Sequence, residues 1–152
     1  MPLIKAFRMD GLGNRFIIID RRKNFISISK EKIVHLGNLK SFHRNIEFDQ
    51  IIFIEKETNN TFPITIFNSD GGEVSACGNG SRCVAYLLGK DLNNKEIKLK
   101  TNNRLLNAKI VGESDVQLEI GKPVFEWNKI PLKEKLDHKN ITIDVDLSLI
   151  HI

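Results

Sequence analysis

Cysteine is scarce in this chain: Cys77 and Cys83 are the only two in 152 residues. Two thiols six positions apart do not make a disulfide framework. None is required either, because a chain of this length buries roughly two-thirds of the surface its unfolded form exposes. Tryptophan and tyrosine occur once each, and the net charge is only +4, with Lys and Arg interspersed among Asp and Glu. Short basic clusters such as Arg21-Arg22-Lys23 therefore read as solvated loop, and nucleic-acid binding is not expected. No apolar run approaches the roughly 20 residues of a membrane span. The first residues, Met-Pro-Leu-Ile-Lys, have no signal-peptide core, so a reducing cytoplasm is the expected setting. Histidines are four. His35 and His43 fall in or near a first helix, His138 and His151 near the end, and no His or Cys pair has zinc-ligand spacing, so no metal is expected.

What is present is a regular alternation of short apolar runs and turn residues. Residues 3 to 9 read as a strand, Asp10-Gly-Leu-Gly-Asn14 as a turn, and Phe16-Ile-Ile-Ile-Asp20 as a second strand, which together predict a hairpin. Ser29 is a good N-cap for a helix over about 29–37 that ends at Gly37-Asn38. Strands follow at 50–55 and 63–67, separated by the turn Thr58-Asn-Asn-Thr61. From Gly80 onward Val84, Leu87 and Leu88 share one helical face, with Gly89 as the expected C′ residue. Residues 96–100, 105–111 and 116–120 then alternate as strands. The pattern is α+β: a curved mixed sheet wrapped around the helix that follows Cys77.

The most informative stretch runs from Phe67 to Cys83, Phe-Asn-Ser-Asp-Gly-Gly-Glu-Val-Ser-Ala-Cys-Gly-Asn-Gly-Ser-Arg-Cys. It reads as strand, turn and helix entry. Cys77 is placed just before the free N–H groups of the first helical turn, where the helix dipole favours a thiolate. Gly78-Asn79-Gly80 is small enough for a ligand to approach the backbone. Cys83, in register with apolar neighbours, reads as structural. Arg82 is expected to reach a carboxylate or to make a surface ion pair. Asn14, Asn68 and Asn79 all fall at element ends and together can line one polar pocket. Several thiol chemistries remain open on these residues alone.

Asp10-Gly-Leu-Gly-Asn-Arg-Phe16, Phe48-Asp-Gln50 and Asn68 through Arg82, with its Cys-Gly-Asn-Gly-x-Arg element, closely resemble the N-terminal half of diaminopimelate epimerase over roughly residues 3–120. The resemblance implies one of two pseudo-symmetric halves, with residues 1–120 as an N-terminal domain and 121–152 as the truncated start of an inter-domain segment, and a pyridoxal-independent, cofactor-free epimerase acting on a small amino-acid substrate, diaminopimelate (LL to meso, toward lysine and peptidoglycan precursors). It implies that Cys77 removes or returns the α-proton and that the backbone of Gly78, Asn79 and Gly80 holds the α-carboxylate. Asn14, Gln50 and Asn68 are implied to orient the substrate.

The sequence also departs from the family pattern. Arg15 stands where Asp is usual, reversing a charge at the pocket mouth. Asn45-Ile-Glu47 replaces Gly-Ile-Gly, and Gly72 stands where Ser is common. The half of the family that carries the opposing cysteine and a substrate-gripping Glu-Arg pair has no counterpart in these residues, which reads as truncation. The chain alone is therefore expected to be inactive unless a complementary C-terminal half or a second copy completes the cleft. Two other readings stay open: a non-catalytic remnant or interaction module of a truncated gene, and a racemase of another amino acid.

Overall fold

A computed structural model describes residues 5–38, 47–130 and 134–135 of the chain. The expected strand residues Leu3 and Ile4, together with His43, Asn45, His138, His151 and the apolar segments 141–146 and 147–152, lie outside the described residues. The chain divides into two units, 1–120 and 121–152.

In the first unit, strand β1 (Ala6–Gly11) turns into β2 (Asn14–Asp20) as an antiparallel hairpin, as the turn chemistry predicts. Helix α1 (Lys30–Asn38) follows, and the Ser29 hydroxyl accepts from the Lys32 N–H at 3.4 Å. Strand β3 (Gln50–Ile54) then lies parallel to β2, and β4 (Phe62–Asn68) antiparallel to β3. The Thr58–Thr61 turn between them places Asn59 and Asn60 at positive φ, 51° and 55°, a conformation asparagine tolerates. A two-residue strand β5 (Glu73–Val74) pairs with β4 and leads into helix α2 (Gly78–Leu92). Strands β6 (Glu96–Lys100), β7 (Leu105–Ile110) and β8 (Val116–Glu119) complete a sheet of order β1-β2-β3-β4-β6-β7-β8, with β5 beside β4. The eight strands and two α-helices among the described residues agree with the α+β architecture read from the sequence.

The sheet curls around α2, which packs against β1, β2, β3, β6, β7 and β8. This explains two kinds of strand sequence. In β6 only alternate residues, Ile97 and Leu99, are buried, because one face meets the helix while Glu96, Lys98 and Lys100 face solvent. Residues 16–19 of β2 and 51–54 of β3 are apolar without a break because both faces are covered there. Phe16, Ile18, Ile52 and Ile54 pack with Val84, Ala85 and Leu88 of α2. Their neighbours Ile19, Ile51 and Phe53 pack with Ile33 of α1. Each fully buried Leu or Val of α2 contributes about 1.5–3 kcal/mol.

One expected boundary is corrected. Helix α2 does not stop at Gly89 but runs to Leu92, and Asn93 takes the left-handed cap at φ 50°. Gly89 is a glycine for a different reason: a Cβ there would lie 2.0 Å from Ile110 Cδ1 and 2.8 Å from the Asn94 carbonyl oxygen. It is a site of close packing inside the helix, and asparagine, the next best residue for left-handed backbone, ends it.

In the second unit the described residues after Gly121 (φ 92°) include one 3-10 turn, Trp127–Lys129, whose Lys129 ammonium pairs with Glu126 at 3.0 Å.

Candidate active site

The strand directions bring the polar residues to one end of the sheet. Asn14 opens β2 and Gln50 opens the parallel strand β3, while Asn68 closes the antiparallel strand β4. Gln50 and Asn68 are register partners, and the Gln50 amide Nε2 donates to Asn68 Oδ1 at 2.9 Å. The Gln50 Oε1 atom is buried without a hydrogen-bond partner among the described residues. A buried acceptor left this way costs about 1–3 kcal/mol, which a donor from a ligand or a second chain segment would recover.

Helix α2 enters at the same end. Cys77 is its N-cap, extended at φ −147° and ψ 109°, and its sulfur accepts from the Gly80 N–H at 3.3 Å. The Ser81 N–H bonds the Cys77 carbonyl at 2.9 Å. A serine, aspartate or asparagine oxygen caps a helix better than sulfur, so helix stability does not explain a thiol here. The Gly78 and Asn79 N–H groups donate to no acceptor among the described residues. A Cβ on Gly78 would meet nothing within 4 Å. The first turn of α2 carries no acidic residue. Two unpaired donors, the positive end of the helix dipole and open space beside Gly78 make this turn suited to a carboxylate. Of the three backbone donors expected to hold it, two are unengaged and the third, Gly80, is directed at the thiol.

The side chain of Asn79, read from the sequence mainly as backbone, bridges two elements. Its Nδ2 donates to Asn14 Oδ1 at 2.9 Å, and its Oδ1 accepts from the Arg82 guanidinium. Arg82 does not make the surface ion pair expected of it: it has no carboxylate partner among the described residues and holds an asparagine instead. Arg15 has partners that the sequence did not reveal. Its guanidinium pairs with Glu47 and its N–H donates to Asp49 at 2.7 Å, so the charge reversal at this position is matched by an acid from a second departure in the motif. No local signal could have joined two residues 32 positions apart. His35 is exposed on α1, whose buried Ile33 packs against the sheet face opposite α2. Among the described residues no group of three His, Cys, Asp or Glu side chains is placed to hold a metal ion.

The two thiols differ in setting. Cys77 is half-buried, whereas Cys83 is buried inside α2's packing face, where burial pushes its thiol up. We expect the native chain to release one equivalent of thionitrobenzoate rapidly from Ellman's reagent at pH 8, and a second only after denaturation. Peptide mapping is expected to locate the fast label on Cys77; equal labelling of both residues would contradict this assignment.

A concavity of about 860 Å³ opens at the other end of α2, beside Phe62, Leu92 and Asn94, and holds none of these residues.

A curled mixed sheet around one helix is an architecture shared with solved structures. A phenazine biosynthesis protein of the PhzF family from Enterococcus faecalis superposes with a TM-score of 0.55 at 11% identity, over 72% of this chain and 41% of that one. The profile of the family described as diaminopimelate epimerase matches residues 6–126. The diaminopimelate epimerase of Pelagibacter ubique is 44% identical over 93% of this chain and 50% of its own length. That of Acidiphilium cryptum is 35% identical over 86% of this chain and 46% of its own. The chain belongs to the diaminopimelate epimerase family, and it spans about half the length of these curated relatives. Among the described residues no helix is long and apolar enough to cross a membrane.

Proposed function

We propose that these residues form one wall of an amino-acid epimerase site, with diaminopimelate as substrate. The observation that carries the reading is Cys77 at the entry of α2 beside two unengaged backbone donors. The substrate α-carboxylate lies against the Gly78 and Asn79 N–H groups, and Asn14, Gln50 and Asn68 orient the rest of the molecule. The Cys77 thiolate takes the proton from the α-carbon, and the electron pair left behind is stabilised through the adjacent carboxylate held at the helix N-terminus. A second thiol on the opposite face then delivers its proton to the carbanion, inverting the centre. The two sulfurs exchange protonation states and are reset from solvent.

No cysteine follows Cys83 in these residues, and Cys83 lies on the helix of Cys77, so the opposing thiol must come from a complementary C-terminal half or a second copy, and we take the former as its source. The test combines the chain with the separately expressed C-terminal half of the Pelagibacter ubique relative and LL-diaminopimelate in deuterium oxide. Deuterium is expected at the α-carbon, with formation of the meso isomer, and neither half alone is expected to give turnover. A stable complex of the two halves that exchanges no α-proton would sink the reading.

A further inference from the structure

Arg82 is the fifth residue of α2, one turn in from the positive end of the helix dipole. It forms no ion pair among the described residues. Its partner is the Asn79 side-chain oxygen, and the choice of atom is dictated by chemistry. A guanidinium has five donors and no acceptor, so the Asn79 atom that meets it must be Oδ1. The other Asn79 atom is then the NH2 group, and the Asn14 atom that receives it at 2.9 Å must be an oxygen. Asn14 is left with its own NH2 group, which has no acceptor among the described residues. One donor-only side chain thus sets the polarity of two amides that could otherwise turn over at little cost.

We infer that Arg82 is a positioning residue: through Asn79 it fixes the amide of Asn14 with its NH2 group free, so that this corner of the site selects a substrate group that accepts hydrogen bonds, a carboxylate. The inference rests on the epimerase reading for the identity of the substrate, but the relay itself does not. Without a donor-only partner, Asn79 turns freely, and Asn14 presents oxygen as readily as nitrogen. Its oxygen would repel a carboxylate.

The test has two arms, both on the full chain. In the first, the side-chain NH2 resonances of Asn14 and Asn79 are followed in nitrogen-15-labelled protein for wild type, Arg82→Met and Arg82→Lys. Lysine keeps the donor-only character and methionine removes it. We expect both amide pairs to shift and to exchange about tenfold faster in Arg82→Met, and to stay near wild type in Arg82→Lys. Unchanged amides in a folded Arg82→Met protein would overturn the relay. If that variant fails to fold, Arg82→Lys decides: amides displaced as far as those of an Arg82→Gln variant would overturn it equally. In the second arm, the chain is completed by the C-terminal half. Arg82→Met is expected to raise KM about tenfold with kcat within a factor of about three, the pattern of lost uniform binding. Equal losses in both constants, or none, would overturn the role assigned to Asn14. A wild-type pair without turnover would count against the epimerase reading, while the amide arm still decides the relay.

Discussion

Replacing Cys77 by serine is expected to lower turnover of the completed enzyme by about a thousandfold while leaving the fold intact. Proton transfer by a positioned side chain contributes roughly 10²–10⁴-fold, and a serine hydroxyl is far too weak an acid to supply the base form near neutral pH. The same substitution favours the helix. The Gly80 N–H now reaches the sulfur at 3.3 Å, and a hydroxyl oxygen is the better cap, so the unfolding midpoint is expected to stay level or rise, by up to about 1 kcal/mol of stability. These opposite signs separate chemistry from structure. Differential scanning calorimetry measures one and the appearance of meso-diaminopimelate the other. A Cys77→Ser enzyme retaining turnover within tenfold of wild type would exclude the thiol as the base.

What the sequence made legible was periodicity and punctuation. The unbroken apolar runs of β2 and β3 and the alternation in β6 reflect, respectively, two covered faces and one. Asn14, Asn68 and Asn79 could be read as lining one pocket because turns mark where each element starts or ends, whereas Gln50 joined them only through the family resemblance. Gly89 was misread because the same residue type serves two needs: it ends helices and it admits close neighbours. Only the position of Ile110, 21 residues further on, tells which applies.

The site was legible in its backbone and obscure in its side-chain pairing. Cys77 as an N-cap follows from a glycine-rich turn before an apolar stripe. The pairing of Gln50 with Asn68 depends on strand register, and that of Asn79 with Asn14 on how the helix seats against the hairpin. Neither is a local property. Arg15 and Glu47, each a separate departure from the family pattern, prove to be one ion pair at the start of β2. The Asp49 carboxylate, which takes the Arg15 N–H, and the Asp49 N–H, which bonds the Arg15 carbonyl at 2.8 Å, fix this end of the sheet. The neighbours of these two residues are Asn14 and Gln50, so the unusual charges fall on the frame of the site.

Gly80 joins the fold to the chemistry, and Gly80→Ala is expected to damage both. A Cβ at this position would lie 2.5 Å from Ile52 Cδ1, 3.2 Å from Phe16 Cε1 and 3.4 Å from Cys77 Sγ. Ile52 and Phe16 are both fully buried, so neither can swing aside into solvent. The first turn of α2 must instead move away from the sheet. Overpacking of this kind costs about 2 kcal/mol, a fall of roughly 8 °C in Tm for a domain of this size. The displaced turn carries Cys77 and the Gly78 and Asn79 N–H groups with it, and a shift of about 1 Å in reacting groups costs on the order of a hundredfold in rate. Gly78→Ala is the comparison. With nothing within 4 Å of its added Cβ, it is expected to keep or slightly raise Tm, because alanine loses less backbone entropy than glycine in a helix. A Gly80→Ala chain as stable as Gly78→Ala would show that α2 does not need glycine to seat on Phe16 and Ile52. The position of Cys77 would then have to be held by the preceding turn rather than by the helix.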